Sequence, residues 1–325
     1  MGHIRQFMKR NYRHFNAKET LATAKAYCEH LDNGGKMLVT LAGAMSTAEL
    51  GICLARMIRE GKVHAISCTG ANLEEDVFNL MAHGEYEIID NWRELSKEEE
   101  ERMYDRGMNR VTDTCIPENV MRNLEDLLVE VWQKACQSGV RKFPSEFLFQ
   151  ILDNPGIAGQ FQIDTEDSWV LAAMEADIPV YAPGWEDSTM GNIFAANIIR
   201  GKVDSHSCVK SGTEQFQHLL EWYIECTTNQ QDQCSLGLFQ IGGGIAGDFA
   251  ICAVPCIVQD LKREVPAWGY FAQITDAAPS YGGYSGAIPE EKISWGKITK
   301  TTPSFSINSD ASVVAPLIFG YVLND

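Results

Sequence analysis

The sequence predicts an α/β fold, a single Rossmann-like domain whose mostly parallel sheet is covered by helices on both faces. Two observations carry that expectation. Strand-length apolar runs alternate with helix-period segments along most of the chain. Five of those runs end in small or glycine-bearing turns, LAGAMS, CTGANLEED, PGWEDS, GGGIAGD and ITDAA, and ligands of open α/β sheets bind outside the carboxyl ends of strands.

The elements follow in order. Asn16 and Glu19 open a helical pattern through Leu31, which Gly34 and Gly35 stop. Residues 36–43 (KMLVTLAG) read as a buried strand. Ser46 to Glu49 has the spacing of a capping box and predicts the start of a helix that Gly61 closes. Residues 63–68 (VHAISC) form a second strand, and 69–76 (TGANLEED) lead into another helix. Segment 86–117 is polar and irregular, with KEEEER as a solvated helix face, and 118–138 is a long amphipathic helix with Leu124, Leu127, Leu128 and Val131 on its apolar side. The second half repeats the rhythm: a strand at 178–184, a polar turn at 185–192, a helix at 193–200, and strands at 236–241 and 268–275. A buried helix at 310–323 ends it. The polar NQQDQC stretch is a short loop and no linker composition appears, so residues 1–325 read as one domain.

Composition narrows the function. A formal net charge of −17 and a pI near 4.8 argue against a nucleic-acid surface, which would be basic, and are compatible with cationic ligands. Ten cysteines occur without any C-x-x-C, and no signal-peptide pattern is present, which together suggest a reduced cytoplasmic protein. No apolar run reaches membrane-spanning length, and the seven histidines lack metal-ligand spacing, so no metal is expected.

The glycine turns make a dinucleotide or other phosphate ligand the favoured reading. Gly242, Gly244 and Gly247 satisfy G-x-G-x-x-G directly after a strand, with Asp260 the nearby acid where a ribose partner would fall. Seven acids gather at the same strand ends: Glu74, Glu75, Asp76, Glu186, Asp187, Asp248 and Asp276. Some of them cap helices; the rest suit a cationic substrate beside the dinucleotide. GGYSG fails the G-x-S-x-G spacing of a serine hydrolase. In SGAIPEEKISWGKIT, Lys297 is either a surface lysine or a nucleophile against an aromatic wall.

With these residues assembled, the chain resembles the deoxyhypusine synthase family, including its homospermidine synthase branch. SGAIPEEKISWGK is similar to that family's S-G-A-x-P-x-E-x-x-S-W-G-K motif, and TGANLEED, MNRV, PGWEDSTMGN, IGGGIAGD and SDAS extend the likeness over nearly the whole sequence. The resemblance implies NAD-dependent transfer of an aminobutyl group from a polyamine such as spermidine to an acceptor amine, through an imine on Lys297. The acceptor is either a small diamine or a protein lysine. It implies a homotetramer, and NAD contacts at Gly43, Ala44, Met45, Ser46, Thr47, Thr69, Gly70, Ala71, Glu75, Asp187, Gly243, Asp276, Ala277, Asp310 and Ala311. Polyamine contacts fall on Glu74, Glu75, Asn192, Asp248, Tyr284, Glu291 and Trp295. Four positions depart from the eukaryotic pattern: Asn192 and Tyr284 stand for aspartates, Asp248 for a histidine and Asp276 for a threonine. Negative charge is therefore moved rather than removed, which suggests a polyamine site of changed register. The competing reading is a non-catalytic NAD- or polyamine-binding protein that kept the fold.

Overall fold

The computed structural model describes residues 2–279 and 282–325. Six parallel strands form the main sheet: β1 (Lys36–Leu41), β2 (Ala65–Cys68), β6 (Val180–Tyr181), β7 (Leu236–Ile241), β8 (Tyr270–Thr275) and β9 (Ser304–Asn308). A small antiparallel sheet holds β3 (Glu87–Ile88), β4 (Met108–Val111) and β5 (Thr114–Pro117). The main sheet runs in the order β6-β2-β1-β7-β8-β9. From β1 the chain winds outward through β2 to β6, then returns beside β1 and winds the other way. That reversal puts a crevice outside the carboxyl ends of β1 and β7, where a doubly wound sheet takes its ligand.

Side-chain alternation explains the layers. Met37, Val39 and Leu41 of β1 join one apolar cluster, and Leu38 joins a second on the opposite face. The strands of β1 and β7 pair in register from Lys36↔Leu236 to Leu41↔Ile241. The long helix Glu118–Ser138 turns Leu124, Leu128 and Trp132 into the core, where Trp132 packs edge-on against Phe147 and Phe194.

Several expectations need correction. The capping box at Ser46 does not form. Ser46 is buried, its Oγ donates to the Asn72 carbonyl at 2.6 Å and accepts from Trp169 Nε1 at 2.9 Å. Glu49 takes a left-handed φ of 54°, and the helix starts only at Gly51–Arg59. Partners distant in sequence outcompete the local cap. Asn16 and Glu19 do not cap the first long helix (Phe15–Asp32) either; Asn16 Nδ2 donates to the Asn308 carbonyl, and Glu19 accepts from Ser306 N. Segment 86–117 is not irregular: it holds the small sheet and the helix Lys97–Asp105, with Ser96 and Glu99 forming a capping box. The turn after β6 gives way to helix already at Thr189–Ile199, capped by Ser188. Strand β9 and the helix Gly212–Thr228 went unread in the sequence.

Candidate functional site

The turn after β1 is tied down by its neighbours. Thr69 caps the helix Gly70–Ala82, and its hydroxyl donates to the Gly43 carbonyl at 2.8 Å. Asn72 Nδ2 donates to the same carbonyl at 2.8 Å while its Oδ1 accepts from Ser46 N at 2.9 Å. Gly43, Ala44, Met45, Ser46 and Thr47 thus form a strap over the crevice, with Thr69, Gly70 and Ala71 as its second wall. Gly70 lies against Ser188, where a Cβ would come within 2.7 Å, so the Asp187 turn borders this wall.

Each glycine of the turn after β7 has a distinct physical task. Gly242 and Gly244 have φ of 73° and 57°, a region that favours glycine. Gly243 abuts Ser285, where a Cβ would fall 2.6 Å from Cα, and Ser285 Oγ accepts from Gly244 N at 3.2 Å. A Cβ on Gly247 would lie 2.7 Å from Gln240 Oε1 and 3.0 Å from Tyr284. Among the described residues, chain neighbours and the local helix backbone aside, no atom stands within 4 Å of where a Cβ would sit on Gly43 or Gly244, so backbone on both sides of the switch point is open to a ligand. Asp276 and Ala277 follow β8. Asp310 caps the helix Ala311–Leu323 by accepting from Ser312 N at 2.8 Å. Asp260 does not take the ribose position: it ends a π-helical turn, Cys256–Asp260, and lines the lysine cavity described below.

The acids do not all converge. Glu74 accepts from Thr189 N and Met190 N at 2.9 and 2.5 Å, capping that helix, and burial pushes it up to about 7. Asp76 accepts from Ser168 Oγ and Val170 N, and burial raises it to about 6. Glu75 differs: burial raises it to about 7, opposed in part by its contact with Thr47, yet among the described residues its Oε2 and the Thr47 hydroxyl are buried without a hydrogen bond of normal geometry. That orphaned acceptor beside the strap fits a ligand hydroxyl. Asn192 and Glu186 line a separate cavity of about 660 Å³.

Asp248, Tyr284, Glu291, Trp295 and Lys297 do come together, around a cavity of about 790 Å³. Lys297 follows Gly296, whose φ is 70°, and its backbone is clamped at both ends: its N donates to the Lys292 carbonyl at 3.0 Å, and its carbonyl accepts from Trp268 N at 3.2 Å. The residue is 8% exposed. Its Nζ lies 3.1 Å from Asp248 Oδ1, 5.5 Å from the centre of the Tyr284 ring and 5.8 Å from that of Trp295. Tyr284 is fixed by its hydroxyl, which donates to Gln240 Oε1 at 2.7 Å. Cys252, one helical turn after Asp248, packs its Sγ 3.4 Å from Asp248 Oδ1, and burial raises the thiol to about 11.

Sequence reasoning missed Lys292. It lies five residues before Lys297, is 2% exposed and lines the same cavity. Its Nζ donates to the Ala287 carbonyl at 2.9 Å and stands 5.0 and 5.1 Å from the Phe271 and Tyr284 ring centres. Burial, then the neighbouring Lys297 charge, lower it to about 8. The doubled lysine of EEKISWGK was the available signal, but the exposed helix Glu291–Ser294 that carries it gave no sign of which side faced inward.

Fold and site together define a doubly wound α/β protein with a glycine-walled switch-point crevice and, adjoining it through Tyr284 and Ser285, a lysine-bearing cavity. The chain belongs to the deoxyhypusine synthase family, a family of aminobutyltransferases: residues 6–322 match the family described as deoxyhypusine synthase. It is 26% identical over 282 residues to "Probable deoxyhypusine synthase 2" of Archaeoglobus fulgidus, covering 87% of this chain and 85% of that one. Identity is 28% to a "Deoxyhypusine synthase-like protein" of Cyanothece sp., over 88% of this chain and 70% of the other. A solved Entamoeba histolytica chain carrying the deoxyhypusine synthase name aligns with a TM-score of 0.57 at 12% identity, over 94% of this chain and 87% of its own, and supports the fold. Among the described residues no helix is long and apolar enough to cross a membrane.

Proposed function

We propose that this chain is an NAD-dependent aminobutyltransferase that carries the group as an imine on Lys297, from a polyamine donor to an acceptor amine. The observation that supports it most is the placement of Lys297: a buried amine at a cavity, 3.1 Å from a carboxylate and beside two aromatic faces. The open backbone at Gly43 and Gly244 and the orphaned Glu75 oxygen fit NAD, which when bound would take a hydride from the donor and return it to the product. Gly43–Thr47, Thr69–Ala71, Glu75 and Gly243 would hold it, with Asp187, Asp276, Ala277, Asp310 and Ala311 at the neighbouring strand ends.

A lysine attacks an imine only as the free amine. Asp248 Oδ1 is the group placed to hold the Lys297 proton while the nitrogen's lone pair forms the new bond. The donor's remaining amine leaves as Lys297 takes the aminobutyl carbon. The acceptor's nitrogen later displaces Lys297 from that carbon, so atoms balance and the lysine is regenerated. Glu291 and Asp248 would attract donor ammoniums, and Trp295 offers them a ring face. Trp295 is 64% exposed at the rim, which suits a site covered by a neighbouring subunit in a homotetramer. Glu74 and Asn192, which lie outside this cavity in one chain, would reach a polyamine only in such an assembly. We take residues 1–325 as one catalytic domain.

The test is incubation with NAD and spermidine, with and without putrescine, followed by mass spectrometry. A new aminobutylated amine with diaminopropane released and little free NADH supports the transferase with a small diamine acceptor. Product only when a protein lysine is supplied supports the other acceptor. Bound NAD with no product and no borohydride-trapped adduct on Lys297 favours the non-catalytic reading. A monomer in light scattering at micromolar concentration would remove the tetramer.

A further inference from the structure

We propose that Lys292 is a specificity-determining residue of this cavity: its ammonium occupies an aromatic cation site that a substrate ammonium would otherwise take, and so limits how much positive charge the cavity accepts. The inference rests on the polyamine reading above and goes beyond it in assigning a residue that competes with the substrate.

The geometry is that of a cation cage. Two ring centres stand 5.0 and 5.1 Å from the nitrogen, a backbone carbonyl accepts from it at 2.9 Å, and the residue is almost wholly buried. Cation–π attraction operates within about 6 Å of a ring centre and strengthens on desolvation. Among the described residues no carboxylate stands within ion-pair distance of this nitrogen, whereas Lys297 has Asp248. The cage thus satisfies an ammonium through rings and a carbonyl, the chemistry that would also receive the end of a polyamine. Tyr284 faces both lysines, so the internal cation adjoins the position where the donor must react.

Charge counting gives the consequence. Asp248, Asp260 and Glu291 are the carboxylates lining the cavity, against Lys292 and Lys297. Three negative and two positive charges leave one net negative; without Lys292 two remain. Attraction for a bound amine grows with the amine's own charge. Removing the Lys292 charge should therefore favour highly charged polyamines most.

The experiment is calorimetric binding of putrescine, spermidine and spermine to the full chain, with NADH present so that no donor is oxidised. Wild type and the Lys292→Met and Lys292→Arg variants are compared. In Lys292→Met spermine affinity should rise on the order of tenfold and putrescine affinity only about threefold. Lys292→Arg, which keeps the charge, should hold the wild-type ranking. A uniform change for all three amines, or none, overturns the proposal. If Lys292→Met fails to fold by circular dichroism, Lys292→Gln takes its place under the same criteria. No amine bound by any form would instead refute the polyamine reading itself.

Discussion

Replacing Lys292 by methionine should stabilise the protein, although the change removes a hydrogen bond and two ring contacts. The structure lowers this lysine from 10.5 to about 8, which corresponds to about 3 kcal/mol against the charged form at pH 7. Cation–π contact with Phe271 and Tyr284 returns on the order of 1–2 kcal/mol. Methionine fills similar volume with an unbranched chain, so little packing is lost. The net gain is about 1–2 kcal/mol, or about 2–3 °C in Tm for a chain of this length. The sign follows from proton linkage. Between about pH 8 and 10.5 the unfolded chain binds the Lys292 proton and the folded chain does not, so wild-type stability rises through that window relative to the variant. The variant's advantage is therefore full at pH 7 and absent above about pH 10.5. Urea denaturation of both proteins across this range, at one protein concentration, measures it. A variant less stable at pH 7, or a gap indifferent to pH, would refute the reasoning that burial of a cation held by rings and a carbonyl rather than a carboxylate is costly here.

Other outcomes follow from the same geometry. Lys297→Ala should abolish product and the borohydride-trapped adduct while leaving NAD affinity within about twofold, because its ammonium contacts Asp248, Tyr284 and Trp295 in the adjoining cavity; persisting turnover would reassign the nucleophile. Gly243→Ala would place a Cβ 2.6 Å from Ser285 Cα and should cost about 1–3 kcal/mol while weakening NAD binding, read by denaturation and calorimetry; unchanged binding would exclude this turn from the cofactor site. Glu75→Gln should stabilise the unliganded protein on the order of 3 kcal/mol at pH 8, because burial raises this acid from 4.5 to about 7. That wild-type deficit develops as pH rises from about 4.5 through 7, so the two proteins should match at pH 4; a constant difference would show a packing effect instead.

How much was legible depends on the range of the forces involved. Residues 36–43, 118–138, 236–241 and 310–323 were readable because hydrophobic period and glycine stops are local properties. The structure gives those elements as Lys36–Leu41, Glu118–Ser138, Leu236–Ile241 and Ala311–Leu323. The turn glycines were readable for the same reason, since positive φ at Gly242 and Gly244 is a demand of the backbone itself. Glu291, Trp295 and Lys297 were legible through their likeness to a known motif, and Asp248 and Tyr284 as positions where the same resemblance departs from its pattern, not through any periodicity.

The sequence by itself determined an α/β chain with a mostly parallel sheet covered on both faces and glycine turns after its strands, because burial on both faces and backbone freedom are written residue by residue. Only the tertiary structure decided which charges share a space. Glu74, Glu75 and Asp76 are consecutive, yet one caps a distant helix, one holds an unpaired oxygen and one binds the Ser168 turn. Ser46 abandons a local cap for Asn72 and Trp169. Lys292, an ordinary charged residue in sequence, becomes a buried cation between two rings. The desolvation and pairing that set these roles depend on neighbours brought together by folding, and spacing along the chain does not encode them.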